Sequence, residues 1–255
     1  MRKRTPAECL KLSQAASAPV EFRKIFPRSH HVYHYIALAD GLSSAVGADV
    51  TPIAEECLRP LLDIDLRKQQ ELLHRLSIPD DAVLYGVNVG AEYGPAKRWS
   101  LEAFAEVIRR FSSQFEAERS PHWVLFGGKG DVPATQALEK QLAKDTVELH
   151  NVAGKTNLEE LALLAGSCVA FLTNDTGPMH VAAAAGAIVI VPFMSTSPDL
   201  TSAGSPLDIS TADRPASTAK KHFFLRPEGC PCAPCFLKRC PFPGNFIWTL
   251  ARYWT

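Results

Sequence analysis

From residue 82 onward, short apolar runs alternate along the chain with amphipathic stretches. Each apolar run is bounded by turn residues, a pattern typical of buried strands. The predicted strands are 82–88, 122–126, 147–150, 168–172 and 187–191. The stretches between them, at 101–115, 133–143, 158–165 and just after 176, show helical spacing. Five strands with four intervening helices predict an α/β fold with a doubly wound parallel sheet.

The first 80 residues follow a different pattern. Residues 1–30 have no sustained period, and we expect a loosely ordered leader. Apolar residues recur at helical spacing in 31–46, which predicts an amphipathic helix. They are Val32, Tyr35, Ile36, Ala39 and Leu42. A second helix is expected at 67–76, before the turn that begins at Pro79.

Composition narrows the classes of function. The chain has 255 residues, of which 46% are hydrophobic, so a substantial core is expected. Its 27 basic and 27 acidic residues balance, and we therefore expect no nucleic-acid partner held by overall charge. The apolar stretch 181–194 is interrupted by Gly186 and Pro192 and is too short for a membrane span. With no apolar core of a secretion signal at the N-terminus, a cytoplasmic location is expected.

The loops after the strands carry the candidate chemistry, because ligands of doubly wound sheets bind at the carboxyl ends of the strands. In the loop 173–180, Thr176 and Gly177 lie at a predicted helix N-terminus, where backbone N–H groups attract phosphate. His180 lies within reach of the same anion, and Asp175 suits ribose or sugar hydroxyls. The alternative makes Asp175 and Thr176 ordinary helix caps and His180 a surface histidine.

Two further loops end at the same edge. In residues 89–99, Lys97 and Arg98 together could neutralise a diphosphate, although two solvated loop charges are the alternative. Gly90 and Gly94 allow a sharp turn there. The loop 127–131 is Gly-rich but matches neither a Rossmann fingerprint nor a P-loop, so contacts from Lys129 or Asp131 are weakly indicated.

These loops resemble the heptosyltransferases of glycosyltransferase family 9. The segment GAEYGPAKRW at 90–99 is similar to the family's phosphate-loop signature, and NDTGPMH at 174–180 followed by AAA at 182–184 is similar to its nucleotide-binding signature. FMSTSP at 193–198 and CAPC at 232–235, followed by Cys240 and Pro241, also resemble family segments. The resemblance covers about residues 30–241.

The resemblance implies the C-terminal, Rossmann-like half of a GT-B glycosyltransferase. It implies inverting transfer of heptose from ADP-heptose to the lipid A-core oligosaccharide of the lipopolysaccharide inner core, with no metal or cofactor. Lys97 and His180 would be catalytic by stabilising the leaving group. The implied donor-binding residues are Gly90, Ala91, Glu92, Lys97, Asp175, Thr176, Gly177 and His180. Lys97→Ala is expected to weaken donor binding without unfolding the protein, since a loop lysine packs little apolar surface.

Both ends of the chain depart from the family pattern. The family's general base lies near a first loop of its N-terminal domain, and we find no such loop here. We therefore expect a leader (1–30), a remnant of the acceptor domain with its linker (31–80), the nucleotide-sugar domain (81–241) and an atypical tail (242–255). The aromatic tail leaves open a peripheral contact with the inner membrane.

Three alternatives remain open. Cys230, Cys232, Cys235 and Cys240 could supply four thiolates to zinc, or they are reduced cysteines of a turn-rich segment. The chain could be a catalytically inactive nucleotide-sugar binding fragment. A nucleotide-binding oxidoreductase is disfavoured, because no glycine fingerprint follows the first strand.

Overall fold

The computed structural model describes residues 30–47, 61–116, 120–203, 222–226 and 233–240. In these ranges the helices are α1 (His31–Ala45), α2 (Leu66–Arg75), α3 (Leu101–Ser112), α4 (Val132–Leu142), α5 (Leu158–Gly166), α6 (Gly177–Ala184) and α7 (Pro198–Thr201). The strands are β1 (Leu84–Asn88), β2 (His122–Phe126), β3 (Glu148–Asn151), β4 (Cys168–Thr173), β5 (Ile188–Pro192) and β6 (Phe223–Leu225). Short 3-10 turns cover Pro95–Lys97 and Lys129–Asp131.

The strands form one parallel sheet in the order β3-β2-β1-β4-β5-β6. This order confirms the predicted doubly wound α/β fold, and the five predicted strands are all present. The edge strand β6 was missed by the sequence pattern. Its three residues are too few to show a period, and only its pairing with β5 makes it a strand.

Helices cover the sheet on both faces. On one face, α2, α5 and α6 pack against a cluster that includes Phe126, Phe171 and Val189. On the other, α3 and α4 pack against a cluster that includes Val87, Trp123 and Leu125. Burial of these side chains on the two sheet faces holds the strand ends, and therefore the loops, in place.

Two helices begin at side-chain caps. The Ser100 side chain accepts a hydrogen bond from the Ala103 N–H at 3.2 Å, and Asn157 with Glu160 forms a reciprocal capping box. The apolar residues of α3 are not all buried. Phe104 and Ile108 are fully buried, whereas Val107 is 37% exposed and α3 ends at Ser112 rather than near residue 115.

Helix α1 forms as predicted, but its predicted apolar face is not buried by the described residues: Tyr35 is 66% exposed and Leu42 is 36% exposed. His30, the residue before α1, contacts the segment after α7: its Nε2 donates to the Ser202 carbonyl at 2.9 Å. Among the described helices, none has the length and apolar character needed to cross a membrane.

Candidate functional site

The candidate site lies where the strand order reverses. From β1 the chain proceeds outward to β2 and β3, and it returns to the other side of β1 as β4 and β5. β1 and β4 are neighbours in the sheet, but the loops that follow them lead to helices on opposite faces, α3 and α6. This separation of the two loops opens the crevice in which doubly wound sheets bind ligands. The loops after β1, β4 and β5 contribute the polar side chains described below.

Two buried asparagines join the first two of these loops. Asn174 is fully buried and uses both ends of its amide. Its Nδ2 donates to the Val89 carbonyl at 2.9 Å, and its Oδ1 accepts from the Trp99 N–H at 2.8 Å. At the ends of β1 and β4, Asn88 Nδ2 donates to Thr173 Oγ1 at 3.2 Å. Paired buried amides of this kind fix the spacing of the two loops.

Asp175 is the centre of a charged cluster. Its Oδ2 accepts from Lys97 Nζ at 2.5 Å and from Thr196 Oγ1 at 2.5 Å. The side chains of Lys97 and Asp175 are only 14% and 5% exposed. The Lys97 ammonium also lies 5.2 Å from the centre of the Tyr93 ring, a cation–π distance. The loops after β1, β4 and β5 therefore meet at one carboxylate.

This geometry excludes the solvated-charge alternative for Lys97. Lys97 is not a solvated loop lysine, because most of its side chain is buried against a carboxylate. Its loss would leave a buried acidic group without its cationic partner, so we expect Lys97→Ala to lower stability rather than leave the fold unchanged. Arg98 is exposed, and its Nε donates to the Ala91 carbonyl at 3.3 Å.

The N-terminus of α6 faces the same cluster. Thr176 is its N-cap residue in an extended conformation, and its side chain makes no capping hydrogen bond. Gly177 is exposed, and a Cβ built on it would meet no atom within 4 Å. Pro178 occupies the first turn, where its missing N–H costs no hydrogen bond. An anion can therefore approach the backbone closely at Gly177, next to the Lys97 ammonium.

His180 adds a titratable group in the first turn of α6. The protein around the ring desolvates it and lowers its pKa below the ordinary value, although the residue keeps an exposed surface. The charge of Asp175 acts in the opposite direction, while His30 and Lys97 add to the lowering. At neutral pH the ring therefore favours the neutral form, which still donates one hydrogen bond.

The remaining predicted donor-binding residues fall into two groups. Gly90 and Ala91 are buried, and an ideal Cβ on Gly90 would come within 2.5 Å of the Asp131 carboxylate. The closeness of Asp131 to Gly90 places the Gly-rich loop 127–131 beside the first loop, and within its own loop Asp131 accepts from the Gly128 N–H at 3.0 Å. Glu92 is exposed. The roles of these residues stay predictions.

A segment at 233–240 crosses two of the site loops. The Phe236 N–H donates to the Ser195 carbonyl at 2.7 Å, and the Tyr93 hydroxyl donates to the Phe236 carbonyl at 2.9 Å. Gly94 has φ of +154°, and a side chain there would collide with Lys238. Only glycine fits this crossing. We call residues 233–240 the strap.

The zinc alternative lies partly outside the described residues, because these include Cys235 and Cys240 but neither Cys230 nor Cys232. Both described cysteines of that cluster are free and half-buried. In the described ranges no group of three or more metal-ligating side chains comes together. The structure does not test the four-cysteine arrangement.

Thr196 and Asn174 were given no role from the sequence. Asn174 lies inside the segment 174–180 that resembles the family signature, but the sequence alone does not distinguish a structural amide from a ligand-binding one. Thr196 is separated from Asp175 by a complete helix and strand, so only the tertiary structure joins them. His30 belongs to the predicted leader, yet it lies close enough to His180 to influence its pKa.

Comparison with known proteins places this geometry in a family. The sequence profile of glycosyltransferase family 9 (heptosyltransferase) matches residues 13–244. Lipooligosaccharide heptosyltransferase 2 of Haemophilus influenzae is 34% identical over 175 residues, which cover 67% of this chain and 48% of that protein. Lipopolysaccharide heptosyltransferase 2 of Escherichia coli is 30% identical over 171 residues, 67% of this chain and 47% of the relative. The chain thus spans about half the length of the curated relatives it matches.

Solved structures of glycosyltransferases share the fold of this chain. The E. coli ADP-heptose lipopolysaccharide heptosyltransferase II superposes with a TM-score of 0.53 at 26% identity, covering 63% of this chain and 50% of that one. A family 9 glycosyl transferase from Veillonella parvula gives a TM-score of 0.57 at 24% identity, covering 78% and 49%. The predicted fold class, one Rossmann-like half of a GT-B glycosyltransferase, is confirmed. By sequence profile, relatives and fold together, the chain belongs to glycosyltransferase family 9.

Proposed function

We propose that this protein is a heptosyltransferase that transfers heptose from ADP-heptose to the inner core of lipopolysaccharide or lipooligosaccharide, with inversion at the anomeric carbon. The observation that carries the proposal is that the Lys97 ammonium binds Asp175, two residues before the open N-terminus of α6 at Gly177. Both features attract the same group, a diphosphate. The names of the relatives support the sugar and the acceptor.

In the proposed reaction, the acceptor hydroxyl oxygen forms a bond to the anomeric carbon as the bond from that carbon to the ADP oxygen breaks. ADP departs with the electron pair, and negative charge grows on its diphosphate. Lys97, the backbone at Thr176 and Gly177, and His180 would stabilise that charge. With its lowered pKa, His180 would act as a neutral hydrogen-bond donor at neutral pH.

The acceptor proton must pass to a general base. Asp175 is poorly suited to that role, because its Oδ2 already accepts from Lys97 and Thr196. Its proposed function is to hold Lys97 at the donor. The alternative of a nucleotide-sugar binding protein without transfer activity keeps this donor site and differs only at the acceptor side.

The first test is calorimetric titration of the chain with ADP, using Gly177→Ala as the diagnostic variant. The added methyl meets no protein atom but stands where the phosphate would approach, so folding should be unchanged and ADP affinity should fall about tenfold or more, the effect of losing about one charged hydrogen bond. Gly130→Ala is the matched control, since its Cβ also meets no protein atom within 4 Å.

A transfer assay with ADP-heptose and a heptose-terminated core acceptor completes the test. Binding together with transfer supports the proposal. Binding without transfer favours the binding-protein alternative. Absence of ADP binding, or equal affinity in Gly177→Ala and the native chain, would refute the placement of the diphosphate.

A further inference from the structure

Thr196 lies on the third loop of the site, and its backbone is fixed on both sides. The Phe193 N–H donates to the Leu225 carbonyl at 2.8 Å, which pins the start of the loop to β6. The Ser195 carbonyl accepts from the strap at Phe236, and Ser197 caps the short helix α7 through the Asp199 N–H. The hydroxyl of Thr196 is therefore presented by backbone that is anchored to the sheet and to the strap.

That hydroxyl shares one oxygen with Lys97. Both donors are 2.5 Å from Asp175 Oδ2, and the carboxylate is almost completely buried. A carboxylate held by a single ammonium can rotate about its side-chain bonds and keep the cation as it turns. A second donor on the same oxygen fixes where that oxygen lies, and the position of the oxygen in turn sets the position of Nζ.

We infer that Thr196 is a positioning residue for the donor diphosphate, acting through Asp175 on Lys97; the inference rests on the proposed function. Without the hydroxyl, Asp175 is free to turn both oxygens toward Lys97, which would draw the ammonium away from the ligand and neutralise it more completely. Thr196 itself need not touch the ligand. Its hydroxyl competes with Lys97 for the carboxylate and leaves part of the charge of the ammonium for the phosphates.

The test measures ADP affinity by calorimetry in Thr196→Val, which keeps the shape and removes the hydroxyl, and in Thr196→Ser, which keeps the hydroxyl. We expect a loss of about tenfold in Thr196→Val and affinity within about twofold of native in Thr196→Ser. Thr201→Val is the matched control, because Thr201 bonds the Ser197 carbonyl in α7 and makes no hydrogen bond to Asp175. Thermal unfolding of each variant separates loss of affinity from loss of fold.

A double-mutant cycle distinguishes action through Lys97 from a local packing defect. In the Lys97→Met background, the further change Thr196→Val should have no additional effect on ADP affinity. An equal tenfold loss in both backgrounds would overturn the inference, since Thr196 would then act without Lys97. The Asp175→Asn background provides the same comparison if Lys97→Met does not fold.

The two proposals fail differently. If the native chain binds ADP and Thr196→Val binds it equally well, the role of Thr196 is wrong and the proposed function stands. If the native chain does not bind ADP, the proposed function fails and the inference fails with it.

Discussion

Replacing Lys97 by methionine tests the buried ion pair directly, because methionine retains most of the apolar stem and removes the charge. The pair is short, 2.5 Å, and both side chains are largely withdrawn from water. Removing one partner of a buried pair costs about 3–5 kcal/mol, since the other charge is left uncompensated. Lys97 retains some exposure, so we expect a loss of about 3 kcal/mol in the free energy of unfolding. That is a large part of the ~5–15 kcal/mol that stabilises an ordinary domain.

The assay is urea denaturation followed by far-ultraviolet circular dichroism, at neutral pH and without ligand. Lys129→Met is the matched control: it removes an exposed lysine at the same edge of the sheet and should change stability by less than about 0.5 kcal/mol. In Lys97→Met/Asp175→Asn the uncompensated charge is gone, so much of the loss should be recovered. If Lys97→Met is as stable as Lys129→Met, the reasoning about the pair is refuted, and Lys97 is free to serve the ligand alone.

Two further predictions concern the periphery of the site. Gly90→Ala should lose about 1–3 kcal/mol of stability and displace the Asp131 carboxylate, whereas Gly130→Ala should melt like the native chain; equal melting temperatures would contradict the close packing. His150 lies 3.0 Å from a ring nitrogen of His122, and burial, followed by the neighbouring imidazole, lowers its pKa below the ordinary 6.5. As pH falls below about 6.5, the unfolded state therefore binds a proton at His150 more readily than the folded state does, and the free energy of unfolding should decrease toward pH 5. The decrease should be smaller in His150→Asn. Identical pH profiles of the two proteins would show that His150 does not cause the decrease.

The parts of the fold that sequence reasoning found are those with a local signal. Helix α5 begins at a capping box that can be read from Asn157 and Glu160 alone, and the strands β1 and β4 are continuous apolar runs. Parallel pairing followed from the alternation of strands and helices. Strand β6 lacks such a signal, since its three residues become a strand only by pairing with β5.

The residues of the candidate site also divide into those with a local sequence signal and those that only the tertiary structure brings together. Thr176, Gly177 and Lys97 could be predicted as candidate phosphate-binding residues because phosphate loops have a recognisable composition and lie at strand ends. The ion pair of Lys97 with Asp175 was not predicted, because burial is a tertiary property: Asp175 is 78 residues away in sequence and its approach depends on β1 pairing with β4. Thr196 was missed for the same reason, since its partner precedes it by a full helix and strand.

The amide of Asn174 has a consequence for the thermodynamics of ligand capture. Asn174 lies on the loop after β4 and bonds the backbone at both ends of the loop after β1, at Val89 and Trp99, so folding itself holds the two loops at a fixed separation. Ordering a flexible loop costs about 1–2 kcal/mol of backbone entropy for each residue that is fixed. Here the cost of ordering is met during folding, through hydrogen bonds of a buried side chain, so less of the free energy of any ligand contact is spent on ordering the loops.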